Sequence, residues 1–323
     1  MPKKTKAGRR RKPAGPRRVR EEGQAYLAIL RAYRPLYRTT YGSAVAADSL
    51  FFMRDLPDET VDLVMTSPPF ALRRQKGYGN KDAREYTDWF MPFAYEVHRV
   101  LKPTGSFVID IGGTWNRGLP TKALYQYELL LRLSARFHLA QEFFWHNPSK
   151  LPTPAEWVAV QRLRVTDAVN TVWWMSKTAW PKADNRRVLR PYSDSMKSLL
   201  QNGYKPKLRP SGHDISNKFQ RDLGGSIPHN LLQVANTESN STYLRSCKRQ
   251  RIKPHPARFP QAIPEFFIKF LTEPGDLVLD PFAGSNVTGK AAEDLQRHWI
   301  SVELDPAYLR ASRFRFDPQI TLL

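Results

Sequence analysis

The sequence predicts an α/β fold, on three observations. Short apolar runs at 61–66, 106–111, 168–175, 276–280 and 299–302 have the length of buried strands. Between them lie stretches of helical periodicity. The clearest is 85–101, where Trp89, Phe93, Val97, Val100 and Leu101 share one face at spacings of three and four. The last two strands enclose a glycine-containing turn and a helix, a strand–turn–helix–strand unit of the kind that builds parallel sheets.

Composition bounds the class. A chain of 323 residues with 12 % aromatics can bury a sizeable core. No run of about 18 apolar residues exists, so no membrane span is expected. The N-terminus lacks the apolar centre of a signal peptide. The single Cys247 excludes intrachain disulfides and a Cys-rich zinc site, and an intracellular protein is expected. The net charge of +21 is uneven. Residues 1–20 carry 10 Lys and Arg and no acid, and residues 182–253 carry 15 against 5 acids, leaving the remainder close to neutral. A neutral body with two basic segments suggests a polyanion partner, most simply nucleic acid.

Residues 1–36 read as a basic arm, disordered over its first part, with a short helix at 21–32 that Pro35 ends. The folded body starts at 37, and a helix at 48–56 closes at Pro57-Asp58. Strand 61–66 then runs into Ser67-Pro68-Pro69-Phe70. Each proline fixes φ and removes a backbone N–H, so the carbonyls of this loop are held without ladder partners. In open α/β sheets, ligands bind beyond the carboxyl ends of strands. A hydroxyl, a rigid carbonyl and an aromatic placed there can accept hydrogen bonds from an amino group on a flat ring and stack on its face. The basic, glycine-containing loop with Arg73, Arg74 and Lys76 that follows is suited to lie along a phosphate backbone.

After helix 85–101, Lys102-Pro103-Thr104-Gly105 is expected to turn the chain into strand 106–111, whose Asp110 precedes Gly112-Gly113 and can reach a pocket. A helix is expected at 120–137, and strands at 143–148 and 168–175. His146 has no second His at ligand spacing, so a structural or base-contacting role is expected and no metal. Over 180–254 the periodicity fades and Pro, Gly, Asn, Ser and basic residues rise, as in a loop-rich module that reads a nucleic acid. Residues 255–260 lead into a helix at 264–271. Strand 276–280 ends in Asp280 and opens on Pro281-Phe282-Ala283-Gly284-Ser285-Asn286; a helix at 290–297 and strand 299–302, ending in Glu303, complete the unit. A glycine turn with an acid at the end of the next strand is a nucleotide-type site, Gly284 permitting close backbone approach and Glu303 placed for ribose hydroxyls. No phosphate-loop motif occurs, which argues against an NTPase.

Ser-Pro-Pro-Phe together with Asp-Pro-Phe-x-Gly-Ser resembles the amino-methylating DNA methyltransferases, which use S-adenosylmethionine (AdoMet). The order of catalytic loop, basic variable region, His-Pro-Ala-Arg-Phe-Pro segment and AdoMet loop is that of the family's circularly permuted β group. Over residues 37–316 the chain is similar to cytosine-N4 methylases of the PvuII type, through Thr-Ser-Pro-Pro-Phe-Ala-Leu, Asn-Thr-Val-Trp-Trp, Arg-Pro-Ser-Gly-His-Asp-Ile and Gly-Gly-Ser-Ile-Pro.

The resemblance implies a Rossmann-like sheet with one antiparallel strand. It implies a catalytic half at 37–179, a target-recognition region at 180–254 and an AdoMet half at 255–323. Ser67, Pro68, Pro69 and Phe70 would hold a flipped base, with Asp110 in the pocket. Asp280, Phe282, Gly284, Ser285, Asn286 and Glu303 would form the AdoMet site, and Arg258 and Phe259 would lie near its methionine end. Where many members carry Gly, this chain has Asn286, a residue that tolerates left-handed backbone. Arg186, Arg187, Arg209 and Arg245 are the candidates for reading bases.

Ser67 favours cytosine N4 as the target. Adenine N6 is the alternative, and an inactive DNA-binding regulator of the same fold is a second. Carbon-5 methylation is excluded, because Cys247 lacks a Pro-Cys context. Further expectations are duplex DNA as substrate, with CAGCTG as the candidate site, no metal, a monomer, a functional partner endonuclease, and a cytoplasmic, nucleoid-associated location.

Overall fold

The computed structural model describes residues 28–71, 81–203, 221–237 and 241–316. The arm 1–20 and the predicted contacts Arg73, Arg74, Lys76 and Arg209 lie outside the described residues.

Residues 28–33 form a first helix, α1. Then follow β1 (Tyr37–Arg38), β2 (Gly42–Ala46), α2 (Ser49–Asp55), β3 (Val61–Thr66), α3 (Tyr86–Val100), β4 (Leu101–Ile111), α4 (Tyr125–Ser134), β5 (His138–His146) and β6 (Val169–Ser176). The second part holds α5 (Asp194–Asn202), β7 (Leu231–Gln233), α6 (Thr242–Arg249), α7 (Ala262–Leu271), β8 (Leu277–Asp280), α8 (Val287–Asp294), β9 (His298–Glu303) and α9 (Pro306–Ser312).

The strands form one sheet in the order β1-β2-β9-β8-β3-β4-β6-β5-β7. β8 and β9, from the end of the chain, pair beside β3 from its start, so the two predicted half-sites share one sheet edge. Every residue of β3 is buried, as a central parallel strand with both faces covered requires. Its side chains alternate: Val64 faces the core under α2, α3 and α4, while Leu63 and Met65 face the core under α7 and α8. Asp48 caps α2 by accepting from the N–H groups of Leu50 (2.8 Å) and Phe51 (3.4 Å).

Four expectations need correcting. Two strands, not one, run against the rest: β6 inside the sheet and β1 at its edge. Strand β4 starts at Leu101, opposite Val61, and residues 102–105 bulge from it before pairing resumes at Ser106; charge and proline mimicked a turn. The helix expected at 120–137 is shortened to Tyr125–Ser134, because a bridge between Trp115 and Lys122 and the Asn116 side chain occupy the preceding residues. Helix α8 begins at Val287, three residues early, because Asn286 caps it. Within the predicted recognition region, β7 adds to the main sheet beside β5.

Candidate active site

A cavity of about 650 Å³ opens at the carboxyl ends of β3, β4, β5, β8 and β9, where such sheets bind ligands. It brings together Ser67, Pro68, Pro69, Phe70, Asp110, Arg258, Phe259, Phe282, Gly284, Ser285 and Glu303.

In the first half, the Ser67 hydroxyl donates to Asp110 Oδ2 at 3.0 Å, and Asn170 Nδ2 donates to Asp110 Oδ1 at 3.2 Å. Asp110 is buried, and burial pushes its pKa up to about 6, opposed by those two hydrogen bonds and by the Lys150 charge. Because Ser67 spends its proton on Asp110, its lone pairs remain for a ligand. The Phe70 ring lies over Gly112, where a Cβ would stand 2.6 Å from ring carbon Cε2. The buried Tyr125 hydroxyl donates to the Gly112 carbonyl and so holds that backbone.

The second half depends on two left-handed residues. Gly284 has φ 51°, and a Cβ there would meet the His255 ring at 3.1 Å. Asn286 takes φ 56°, ψ 46°, the left-handed conformation that its residue type tolerates. Its Oδ1 accepts from Gly289 N (3.1 Å) and Ser301 Oγ (2.6 Å), and its Nδ2 donates to Tyr37 (2.9 Å). Glu303 accepts from Gly284 N (2.8 Å) and Asp305 N (2.9 Å), and burial raises its pKa. Each of its oxygens keeps lone-pair capacity for a further donor. Phe282 packs on Trp89, Phe90 and Phe93 at centroid distances of 5.9, 6.2 and 5.0 Å.

Asp280 and Asn286 do not line the cavity. Asp280 accepts from Thr66 Oγ1 (2.7 Å) and Phe282 N (3.1 Å), which ties the ends of β3 and β8 together; burial pushes its pKa up to about 6. Both residues shape the loop from behind.

The recognition candidates separate. Arg187 donates to the Thr272 carbonyl, which precedes β8, and Arg186 pairs with Asp184 at 2.6 Å. They therefore sit at the opposite edge of the sheet from the cavity. Composition could not show this, since a charge count carries no edge. Arg245 is exposed on α6.

Sequence reading gave no role to Asp48, Lys150, Asn170, Asn236 or His255, all of which line the cavity. Asn236, from within the basic segment, donates to the Arg258 carbonyl at 2.9 Å, and its N–H reaches Asn147 Oδ1 at 3.1 Å. The usable signal was position: Asn170 lies at the start of a strand and Asn147 at the end of its neighbour. His255 stacks edge-on with Tyr308 at 4.6 Å, and burial lowers its pKa. Among the described residues, no group of three or more His, Cys, Asp or Glu is arranged to hold a metal ion, and no helix is long and apolar enough to cross a membrane.

A family profile described as DNA methylase matches residues 61–314. The chain is 56 % identical to the type II methyltransferase M.PvuII of Proteus hauseri over 288 residues, covering 88 % of this chain and 86 % of that protein. It superposes on the solved PvuII DNA methyltransferase (cytosine-N4-specific) with a TM-score of 0.72, at 48 % identity, covering 89 % and 90 % of the two chains. The AdoMet-complexed TTHA0409 of Thermus thermophilus, a putative DNA modification methylase, shares the fold with a TM-score of 0.52 at 20 % identity, covering 85 % of this chain and 94 % of that one.

Proposed function

The chain belongs to the DNA methylase family, and from that premise we propose that it moves a methyl group from AdoMet to N4 of a flipped cytosine in duplex DNA. It would do so as the modification enzyme of a type II restriction-modification system, as a monomer, at CAGCTG. A cognate endonuclease would be its functional partner and the cytoplasmic nucleoid its location. The observation that carries this function is the meeting of the Ser67–Phe70 loop and the Gly284–Glu303 unit in one cavity, in a chain 56 % identical to M.PvuII.

The residues present fit AdoMet. Gly284 leaves a cradle that a Cβ would fill, and the buried Arg258 Nε finds no hydrogen-bond partner among the described residues, which suits a carboxylate. Glu303 would hold the ribose hydroxyls, and Phe282, Ser285 and Phe259 would complete the walls. AdoMet supplies an electrophilic sulfonium methyl, so a metal is not needed for the transfer.

An exocyclic amine is a poor nucleophile because its lone pair is delocalised into the ring. Ser67 Oγ and the Pro68 carbonyl, aimed at its two N–H bonds, would localise that lone pair, a preorganised polar site where charge develops. As nitrogen gains the methyl, the methyl–sulfur bond breaks and a neutral thioether leaves; the nitrogen would then lose a proton to Ser67 Oγ, whose own proton would pass to Asp110. Phe70 would replace the stacking that flipping removes.

Resistance tests the assignment. Duplex DNA treated with the protein and AdoMet should become refractory to an endonuclease cutting CAGCTG, while DNA treated without AdoMet is cut. Cutting in both would contradict it.

A further inference from the structure

We propose that the loop from β5 to β6, with its neighbour from β4 to α4, forms a face that lies against the duplex flanking the target base. This rests on the function proposed above and adds a contact surface that neither basic segment supplied.

Topology puts the face in place. Both loops leave the sheet at the edge that carries the cavity, and Lys150 and Asn170, at the two roots of the longer loop, line that cavity. Whatever extends from the cavity mouth must meet them.

The longer loop has a fixed shape. Asn147 N donates to Ala168 O at 2.9 Å across its base, and Leu163 N donates to Trp157 O at 2.8 Å around a buried Trp157. Arg164 Nε donates to Pro120 O at 3.0 Å and Lys122 pairs with Asp167, which join it to the second loop.

On this scaffold, aliphatic side chains point outward: Leu151 is 76 % exposed, Val160 70 %, Leu163 52 % and Val165 87 %. Four exposed aliphatic side chains within residues 151–165 of one ordered loop suit a contact surface. Charge selects the partner. Residues 115–122 and 147–168 carry five Lys and Arg against two acids, and one acid, Asp167, is already neutralised by Lys122. An aliphatic face set in excess positive charge suits DNA that has lost a base from its stack: basic groups meet phosphates, and aliphatic wedges cover unstacked bases and sugars. Arg186 and Arg187, at the opposite sheet edge, cannot serve there.

Tethered cleavage tests the placement. The only native thiol, Cys247, is buried, so V165C can carry an iron–EDTA tether with little background. It should cut a duplex containing the methylated site within about ten base pairs of the target base, whereas the same tether on R186C should not. The L163S/V165S double variant should raise KM for DNA about tenfold, and R162E should lower the salt slope of binding by about one; AdoMet binding should be unchanged in both. Cutting by V165C no closer than by R186C, or a double variant with wild-type KM for DNA, would overturn the inference. A wild-type protein that puts no methyl on DNA would instead overturn the enzymatic function, and tethered cleavage would still report whether this face meets the duplex.

Discussion

Asn170 donates to one carboxylate oxygen of Asp110 at 3.2 Å, while Ser67 donates to the other at 3.0 Å. The two bonds fix the Asp110 plane and, through it, the direction in which Ser67 offers its lone pairs. Asn170 is thus a positioning residue, acting through Asp110.

The pH dependence follows. In the proposed transfer Asp110 takes the proton; its pKa stands raised at about 6, so that acceptor would be lost as pH falls through that value, and kcat/KM should rise with pH along a limb near 6. Asn170 lowers this pKa, so Asn170→Leu should move the limb to higher pH. Asp280 is also pushed up to about 6, and the Thr66 and Thr288 hydroxyls both lower it; Thr66→Val should raise the Asp280 pKa and leave the limb in place. A limb that follows Thr66 would assign the titration to Asp280.

Removing the acceptor should cost rate, not binding. Ser67→Ala is expected to lower kcat by about 10²–10³, the range seen when one preorganised polar partner is lost. Equilibrium binding of DNA and of AdoMet should change less than about threefold. Filter binding beside single-turnover rates would check this.

Gly112 is required by Phe70. A Cβ there would stand 2.6 Å from the ring, and Tyr125 holds the backbone in place, so the ring must move. Gly112→Ala should cost about 1–3 kcal/mol of stability and raise KM for DNA. Adding Phe70→Leu should recover the stability without the activity. Chemical denaturation of the single and double variants measures the coupling.

Asn286 combines a left-handed backbone with three side-chain hydrogen bonds. Asn286→Ala keeps the strain and loses the bonds, so it should destabilise by about 2–4 kcal/mol. Asn286→Gly relieves the strain and should cost less. Both should weaken AdoMet binding by displacing Gly284, measurable by calorimetry.

The legible part of this molecule was local. Val61–Thr66 announces a buried strand by composition, and two prolines announce the rigid loop beyond it. Asn286 was readable as a residue that tolerates left-handed backbone, and the turn uses that tolerance. What escaped depended on distant pairing. Asn170 meets Asp110 only because β6 runs antiparallel beside β4, which no local pattern encodes. Arg187 looked like a base reader by charge, yet a backbone carbonyl 85 positions away holds it at the far edge. Asp280 was placed in the cofactor site by the resemblance; its side chain turns inward to accept from Thr66, which ends the neighbouring strand.

The most direct test is to incubate duplex DNA with methyl-labelled AdoMet, digest it to nucleosides and identify the labelled base, with Ser67→Ala and Glu303→Ala in parallel. The predicted result is N4-methylcytosine from the wild type, and far less from either variant. Label on adenine N6 would contradict the assignment of Ser67, and no label on DNA would contradict the enzymatic function itself.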